Sequence, residues 1–424
     1  MTTPETSANQ QQSESGSHQA QVADDLQKII EGRQLEAVSS VGGQAIEGEV
    51  NQLEPRERVQ KVWGKYASYG EGYDRHQAER LTHGGMETDT YLDGSLKVIA
   101  SVNSEKFEPR TGKPAKDVTR YGLMEGKWAD GHDYAPDSFN NRYIAEQFRQ
   151  FVMGQGVENV VLIYEGYPDE SGSWSEAVQK RTESGGLQFL ARQMGVEAVP
   201  GEPLNINEIT AAEFENQGLA REVTALAFAL RALQARPEYS FGGSGNSEEA
   251  KQPVGDVLLD IYPQLAAVGL SDKYPLFSED DKKYFTQDIP EAQSDFLMIR
   301  QDILTKLEPA IAQMNAWLES MQIPSRLEVD TLNGELKFIP PLMLFELSAD
   351  PHDESQLGKF WAEQGAIRDR ELSTAVAAQV ARGKKVFIAY GGSHIMSTKD
   401  IFTDLYGQPN VEYPRDGKYR AGDR

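Results

Sequence analysis

Apolar and polar positions follow two rhythms along this chain. Short, nearly continuous apolar runs stand in SLKVIASVNS (95–104), ENVVLIYEG (158–166) and KKVFIAY (384–390), each bounded by glycine or polar residues. Such runs read as strands, and Val160–Tyr164 and the apolar part of 384–390 read as strands buried on both faces, the mark of a parallel sheet. Between them come stretches with helical spacing. Phe139–Gly154 brings Phe139, Ile144, Phe148 and Phe151–Val152 near one face, with Ser138 as N-cap and Gly154 or Gly156 after its end. Gly186–Met194 is stopped by Gly195, Arg368–Ala381 by Gly383, and a last helix lies near Lys399–Tyr406. VEAVPGEP (196–203) is a short strand running into a loop, and VEY (411–413) a final edge strand. Strand and helix in alternation predict an α/β fold, a mainly parallel or mixed central sheet flanked by helices.

The middle of the chain departs from that rhythm. Thr210 opens T-A-A-E, a capping-box pattern, and the helix it starts runs to Ala235, ahead of Pro237. FGGSGNSEEAKQP (241–253) is a polar loop, and helical spacing resumes at 255–268 and at 291–321, with a kink expected at Pro309. Residues 205–323 therefore read as a helical insertion, or cap, between two halves of the sheet. RLEVDTLNGELKFI (326–339) reads as a hairpin, its arms flanking Asn333-Gly334, a type I′ signal. The expected order is a polar tail (1–50), a first α/β half (51–204), the helical insertion (205–323), a second α/β half with the hairpin (324–413) and a polar tail (414–424).

Composition adds exclusions. The chain has 424 residues; 66 acidic residues outweigh 42 basic ones for a formal charge of −24, and cysteine is absent. Nucleic acid is not an expected partner, because binding it needs clustered Lys and Arg. Thiolate chemistry, disulfides and iron–sulfur clusters are excluded, so any metal must sit on histidines and carboxylates. The first 50 residues carry eight acidic and two basic side chains and no aromatic, the first aromatic being Trp63. Such a stretch cannot offset its ordering entropy and is expected to be disordered. No run reaches the length of a membrane span, and the N-terminus lacks the basic and apolar regions of a secretory signal. The expected location is the cytoplasm, the bacterial cytoplasm being favoured, or the exterior by a route without such a signal.

Two buried strands lead into ionisable groups: VVLIYE ends at Glu165, and VFIAYGGSH at His394. Ligands bind outside the carboxyl ends of strands in open α/β sheets, and glycines there admit close backbone approach. AIRDREL (366–372) places Arg368 in what reads as a first helical turn, where the dipole disfavours a cation, so Arg368 is expected to serve an oxyanion or a carboxylate. His18, His76, His83 and His352 read as solvated or loop residues, and Ser393 as a turn residue, since no G-x-S-x-G elbow exists. Phosphate-loop, dinucleotide-fingerprint and H-E-x-x-H signatures are absent.

Arg368-Asp369-Arg370-Glu371-Leu372, followed by KKVFIAYGGSH ending at His394, resembles the carboxy-terminal half of the TraB/TIKI and erythromycin-esterase/ChaN-like superfamily. Helix, VVLIYE ending at Glu165, helix and VEAVPGE ending at Glu202 resemble its amino-terminal half. The resemblance covers about 95–203 and 355–413. It implies a site built from Glu165, Glu202, Arg368 and His394. The superfamily's first histidine motif normally closes the first strand; here that strand ends in Ser101, Asn103 and Ser104, and the nearest candidate is His132 in Gly131-His132-Asp133.

The resemblance implies a hydrolase of peptide or ester bonds acting on a small-molecule or peptide substrate, with a divalent metal (Mn, Co and Zn are not distinguished) on His132, Glu165 and His394. Glu165 and His394 would activate water, Arg368 would face the oxyanion, and Glu202 would orient a histidine or bind the metal. Segment 205–323 would be a lid. The alternative is a non-catalytic protein on the same fold that binds a ligand such as haem, or an effector or toxin domain.

Overall fold

A computed structural model describes residues 53–66, 69–83, 85–101, 135–234, 258–274, 289–320, 322, 326–339 and 356–414. The tails expected over 1–50 and most of 414–424, and His132, lie outside these. Two compact units divide the described residues. One holds those in Asn205–Ser348 and Asp353–Phe360, the other those in Ala37–Leu204 and Trp361–Arg424.

The second, sheet-bearing unit begins with α1 (Pro55–Trp63), α2 (Glu71–Thr82), β1 (Glu87–Tyr91) and β2 (Leu96–Ser101), then α3 (Phe139–Gln155), β3 (Val160–Tyr164), α4 (Trp174–Met194) and β4 (Glu197–Pro200). The helical unit follows with α5 (Ile206–Asn216), α6 (Arg221–Gln234), α7 (Leu258–Ala267), α8 (Pro290–Ser320) and the strands β5 (Arg326–Asp330) and β6 (Glu335–Ile339). Helix α9 (Gln356–Ala381) enters the sheet unit from Trp361 onward, and β7 (Lys385–Gly391), α10 (Gly392–Tyr406) and β8 (Asn410–Glu412) complete it. The fold is α/β, as the two rhythms predict.

The sheet order is β4-β3-β7-β2-β1-β8. β4, β3, β7 and β2 run parallel, while β1 pairs antiparallel with both β2 and β8. Period-two geometry sends alternate side chains of β3 to opposite layers. Val160, Leu162 and Tyr164 join Phe148 and Phe151 of α3, Leu187 and Leu190 of α4, and Phe387. Val161 and Ile163 join Leu372 and Val376 of α9 and Ile395 and Phe402 of α10. Both faces of the central strands are covered, hence the unbroken apolar runs.

Local signals decide the ends of α3 and α4. Ser138 caps α3, its Oγ accepting from the Asn141 N–H at 3.2 Å, and Gly156 leaves it at φ +84°. Gly195 closes α4 in the left-handed region at φ +72°.

Several expectations are corrected. The helix read as 186–194 starts at Trp174. The single helix read from Thr210 is two, α5 and α6, separated at Gly218 (φ +90°), and Thr210 is buried inside α5 rather than at a cap. Pro309 lies within α8, whose helix continues on both sides of it. The hairpin forms its own two-stranded sheet, grouped with the helical unit. Its arms close at Asp330↔Glu335, leaving four turn residues. Only Gly334 has positive φ, so the turn is not type I′; the Asp330 carboxylate organises it by accepting from the Leu332 and Asn333 N–H groups. Strand β1 carries no apolar alternation to announce it. Glu87 and Asp89 are buried there against Lys399 Nζ of α10, a partner more than 300 residues away.

Candidate functional site

β4, β3 and β7 are adjacent and parallel, so their carboxyl ends share one edge. Glu165 follows β3 directly, Glu202 lies two residues past β4, and His394 is the third residue of α10, which β7 feeds. Gly201 N–H donates to the Tyr164 carbonyl at 2.8 Å, carrying the β3–β4 pairing one step past the strand end toward Glu202. Gly201 must be glycine: a Cβ there would stand 2.2 Å from the Tyr390 hydroxyl oxygen. That hydroxyl donates to the same Tyr164 carbonyl at 3.2 Å. Burial, and then the Glu202 and Glu165 carboxylates, push the Tyr390 phenol well up, so it remains a proton donor.

Arg368 and Asp369 come from α9. Because α9 begins at Gln356, Arg368 lies in mid-helix rather than in a first turn, and the dipole argument for it does not hold. Its environment explains it instead. Arg368 Nε donates to Glu202 Oε2 at 2.8 Å and Nη2 to Glu202 Oε1 at 2.7 Å, a bidentate pair, while Nη2 also lies 3.4 Å from Glu165 Oε1. Burial opposes the Arg368 charge, but Glu202 and then Glu165 outweigh it and hold the guanidinium protonated.

Asp369 is fully buried and binds the other face of the cluster. Its Oδ1 is 2.5 Å from His394 Nδ1, and its Oδ2 accepts from Ser397 Oγ, also at 2.5 Å. A carboxylate on Nδ1 fixes the tautomer of a neutral imidazole, leaving Nε2 as the acceptor. That Nε2 stands 3.8 Å from Glu165 Oε1. The second Glu165 oxygen accepts from Gly391 N–H at 3.0 Å. Burial disfavours the charged imidazole, yet Asp369 and Glu165, against Arg368, raise the His394 pKa overall.

Glu165, Glu202, Arg368 and His394 are thus brought together. His132 lies outside the described residues. Sequence reasoning did not assign Asp369, Ser397 or Tyr390. Asp369 stood next to Arg368 in the quoted pattern, but only the packing of α9 on α10 reveals its partner. Of the other histidines, His76 pairs with Asp400 at 2.8 Å, and His83 stacks on Tyr413.

Glu165, Glu202 and His394 could hold a metal ion: one donor atom from each lies within 4.8 Å of the others. Bonds of about 2.0–2.2 Å bring donors to roughly 4 Å or less of one another, so binding requires a small contraction. The donor chemistry fits a divalent cation, since an imidazole backed by a carboxylate is the usual metal-binding arrangement. Glu202 is the weaker donor of the three because both its oxygens already face Arg368. Among the described residues, no helix is long and apolar enough to cross a membrane.

Compared with models of known families, with characterised proteins and with solved structures, the chain matches none.

Proposed function

We propose that the chain is a hydrolase of peptide or ester bonds, with its site at Glu165, His394 and Arg368. The observation that carries this reading is the line Asp369–His394–Glu165. A fully buried carboxylate fixes the imidazole through Nδ1, and Nε2 faces a second carboxylate across 3.8 Å. Two proton acceptors then flank one position, the arrangement that general-base activation of water needs; such catalysis is worth about 10²–10⁴-fold.

Each residue has a role on this reading. Glu165, steadied by the Gly391 N–H, takes the proton of the attacking water or passes it to His394 Nε2. The raised basicity of His394, backed by Asp369, suits it to return that proton to the leaving group. Arg368 spends Nε and Nη2 on the two glutamates; its Nη1 end has no partner among the described residues and is available to the oxyanion of the tetrahedral intermediate. Glu202 sets the guanidinium plane. A divalent cation held by Glu165 and His394 would supply Lewis acidity at the carbonyl and acidify water.

The resemblance to the TraB/TIKI and erythromycin-esterase/ChaN-like superfamily supports the same reading, as do the strand-end positions of Glu165, Glu202 and His394 and the reach of Arg368 from α9 to both glutamates. Haem ligation by His394 is less favoured, because its Nε2 faces a carboxylate.

The test is hydrolysis of a peptide and ester panel by the purified chain, with and without added Mn, Co or Zn, beside a measurement of metal content. Activity is expected in at least one class and its loss in the Glu165→Ala/His394→Ala double variant. Full activity in that variant overturns the mechanism.

A further inference from the structure

Helix α4 contains a sharp break eight residues from its start. Arg181 (φ −138°, ψ 20°) and Thr182 (φ 58°, ψ −154°) are non-helical, and Thr182 occupies a region that only glycine enters without strain. Four neighbours hold the break in place. Ser184 Oγ donates to the Glu165 carbonyl at 2.6 Å, and buried Glu183 accepts from Ser101 Oγ, at the end of β2, at 2.6 Å. Gly185 and Gly186 leave the space the break needs. A Cβ on Gly185 would stand 2.4 Å from the Ala177 carbonyl oxygen and 2.6 Å from Arg181 Cβ, and one on Gly186 would meet Trp174 at 2.6 Å. The root of Arg181 is therefore fixed by close packing, and the strain is paid where α4 touches the Glu165 edge.

The break turns Arg181 outward. Its guanidinium lies 5.6 Å from the ring centroid of Tyr167, two residues past Glu165. Tyr167 is 49% exposed, and its carbonyl is tied to Gln188 Nε2 at 3.3 Å. Arg181 is exposed and has no acidic partner among the described residues, although acidic side chains outnumber basic ones 66 to 42. A guanidinium stacked on an aromatic face keeps its in-plane N–H groups free for a two-oxygen anion.

We propose that Arg181, backed by Tyr167, binds an oxyanion group of the substrate, a carboxylate or a phosphate, beside the Glu165–His394 site. This names the substrate class of the hydrolase reading and rests on it. Arg181 is a specificity-determining residue, remote from the proton transfers.

The test uses the full chain and three probes whose α-carboxyl is an amide: the α-amides of N-acetylglutamate, N-acetyl-O-phosphoserine and N-acetylglutamine, titrated by ligand-observed NMR. The wild type is expected to bind at least one anionic probe about tenfold or more tightly than the glutamine probe, the scale of a lost hydrogen bond to a charged group. Arg181→Gln is expected to erase that preference, and Arg181→Lys to keep part of it. The stronger of the two anionic arms identifies carboxylate or phosphate. Equal binding of all three probes, no binding of either anion at millimolar concentration, or an undiminished preference in Arg181→Gln overturns the proposal. Hydrolysis of peptides carrying Glu against Gln gives a separate readout: the kcat/KM ratio should fall to about one in Arg181→Gln. Absence of any hydrolysis counts against the hydrolase reading alone, because the binding titration still decides the role of Arg181.

Discussion

Replacing Arg368 by Met removes the only cation that the described structure places between Glu165 and Glu202 while keeping the stem's length. The Arg368 and Glu202 side chains are 18% and 7% exposed, so solvent screens their pair only weakly. Taking one partner from a buried pair costs about 3–5 kcal/mol. A second route gives a similar size: two carboxylates less than 5 Å apart repel by about 3–4 kcal/mol at an effective dielectric near 20. Arg368→Met should therefore lose about 3–5 kcal/mol of unfolding free energy at pH 7.5. Arg368→Met/Glu202→Leu should recover most of it, giving a coupling energy of about 3 kcal/mol in the double-mutant cycle. Urea unfolding followed by tryptophan fluorescence, read on wild type, both single variants and the double variant at pH 7.5, supplies the numbers. Stability of Arg368→Met within about 1 kcal/mol of wild type at pH 7.5, or additive single losses in the double variant, would refute the pairing argument.

Other expectations test separate parts of the structure. Asp89 is pushed up to about 7 from 3.8 by burial and then by Glu87, so it holds its proton more tightly folded than unfolded. Its contribution is fully present below about pH 4 and lost as pH rises through about 7, a change of at most about 4 kcal/mol. The stability difference between Asp89→Asn and wild type should therefore grow in the variant's favour from pH 5 to 8, and a flat difference across that range contradicts the burial argument. Thr182→Gly removes a strain of about 1–3 kcal/mol, partly offset by glycine's greater unfolded freedom, so urea unfolding should show a net gain of about 1 kcal/mol. No gain would mean that Thr182 is not strained. Asp369→Asn should lower hydrolysis about 10²–10⁴-fold while leaving far-UV circular dichroism unchanged.

The parallel strands β3 and β7 and three of the site residues, Glu165, Glu202 and His394, were legible for a physical reason. Val160–Tyr164 and Val386–Tyr390 are buried on both faces, so they stand out as short unbroken apolar runs, and whatever follows a parallel strand is delivered to one edge. What depended on distant partners stayed hidden. β1 buries Glu87 and Asp89 only because Lys399 comes to them from α10, so its polar letters resemble a loop. Asp369 takes its meaning from His394, 25 residues later. Arg368 looks like a helix-start cation only because the polar opening of α9 hides its first three turns; its true partners are Glu202 and Glu165. The polar and glycine-rich composition of 174–186 concealed the first half of α4, where strain and two glycines build the break at Thr182.

The central claim is that the Asp369–His394–Glu165 line activates water for hydrolysis. Single-turnover hydrolysis in ¹⁸O-enriched water tests it most directly, comparing wild type with Glu165→Gln and His394→Gln on a substrate the wild type cleaves. Label is expected in the released carboxylate and none in Glu165, with a rate at least a hundredfold lower in either variant, the order of a lost general base. Wild-type rates in both variants, or label recovered in the Glu165 side chain, would contradict it.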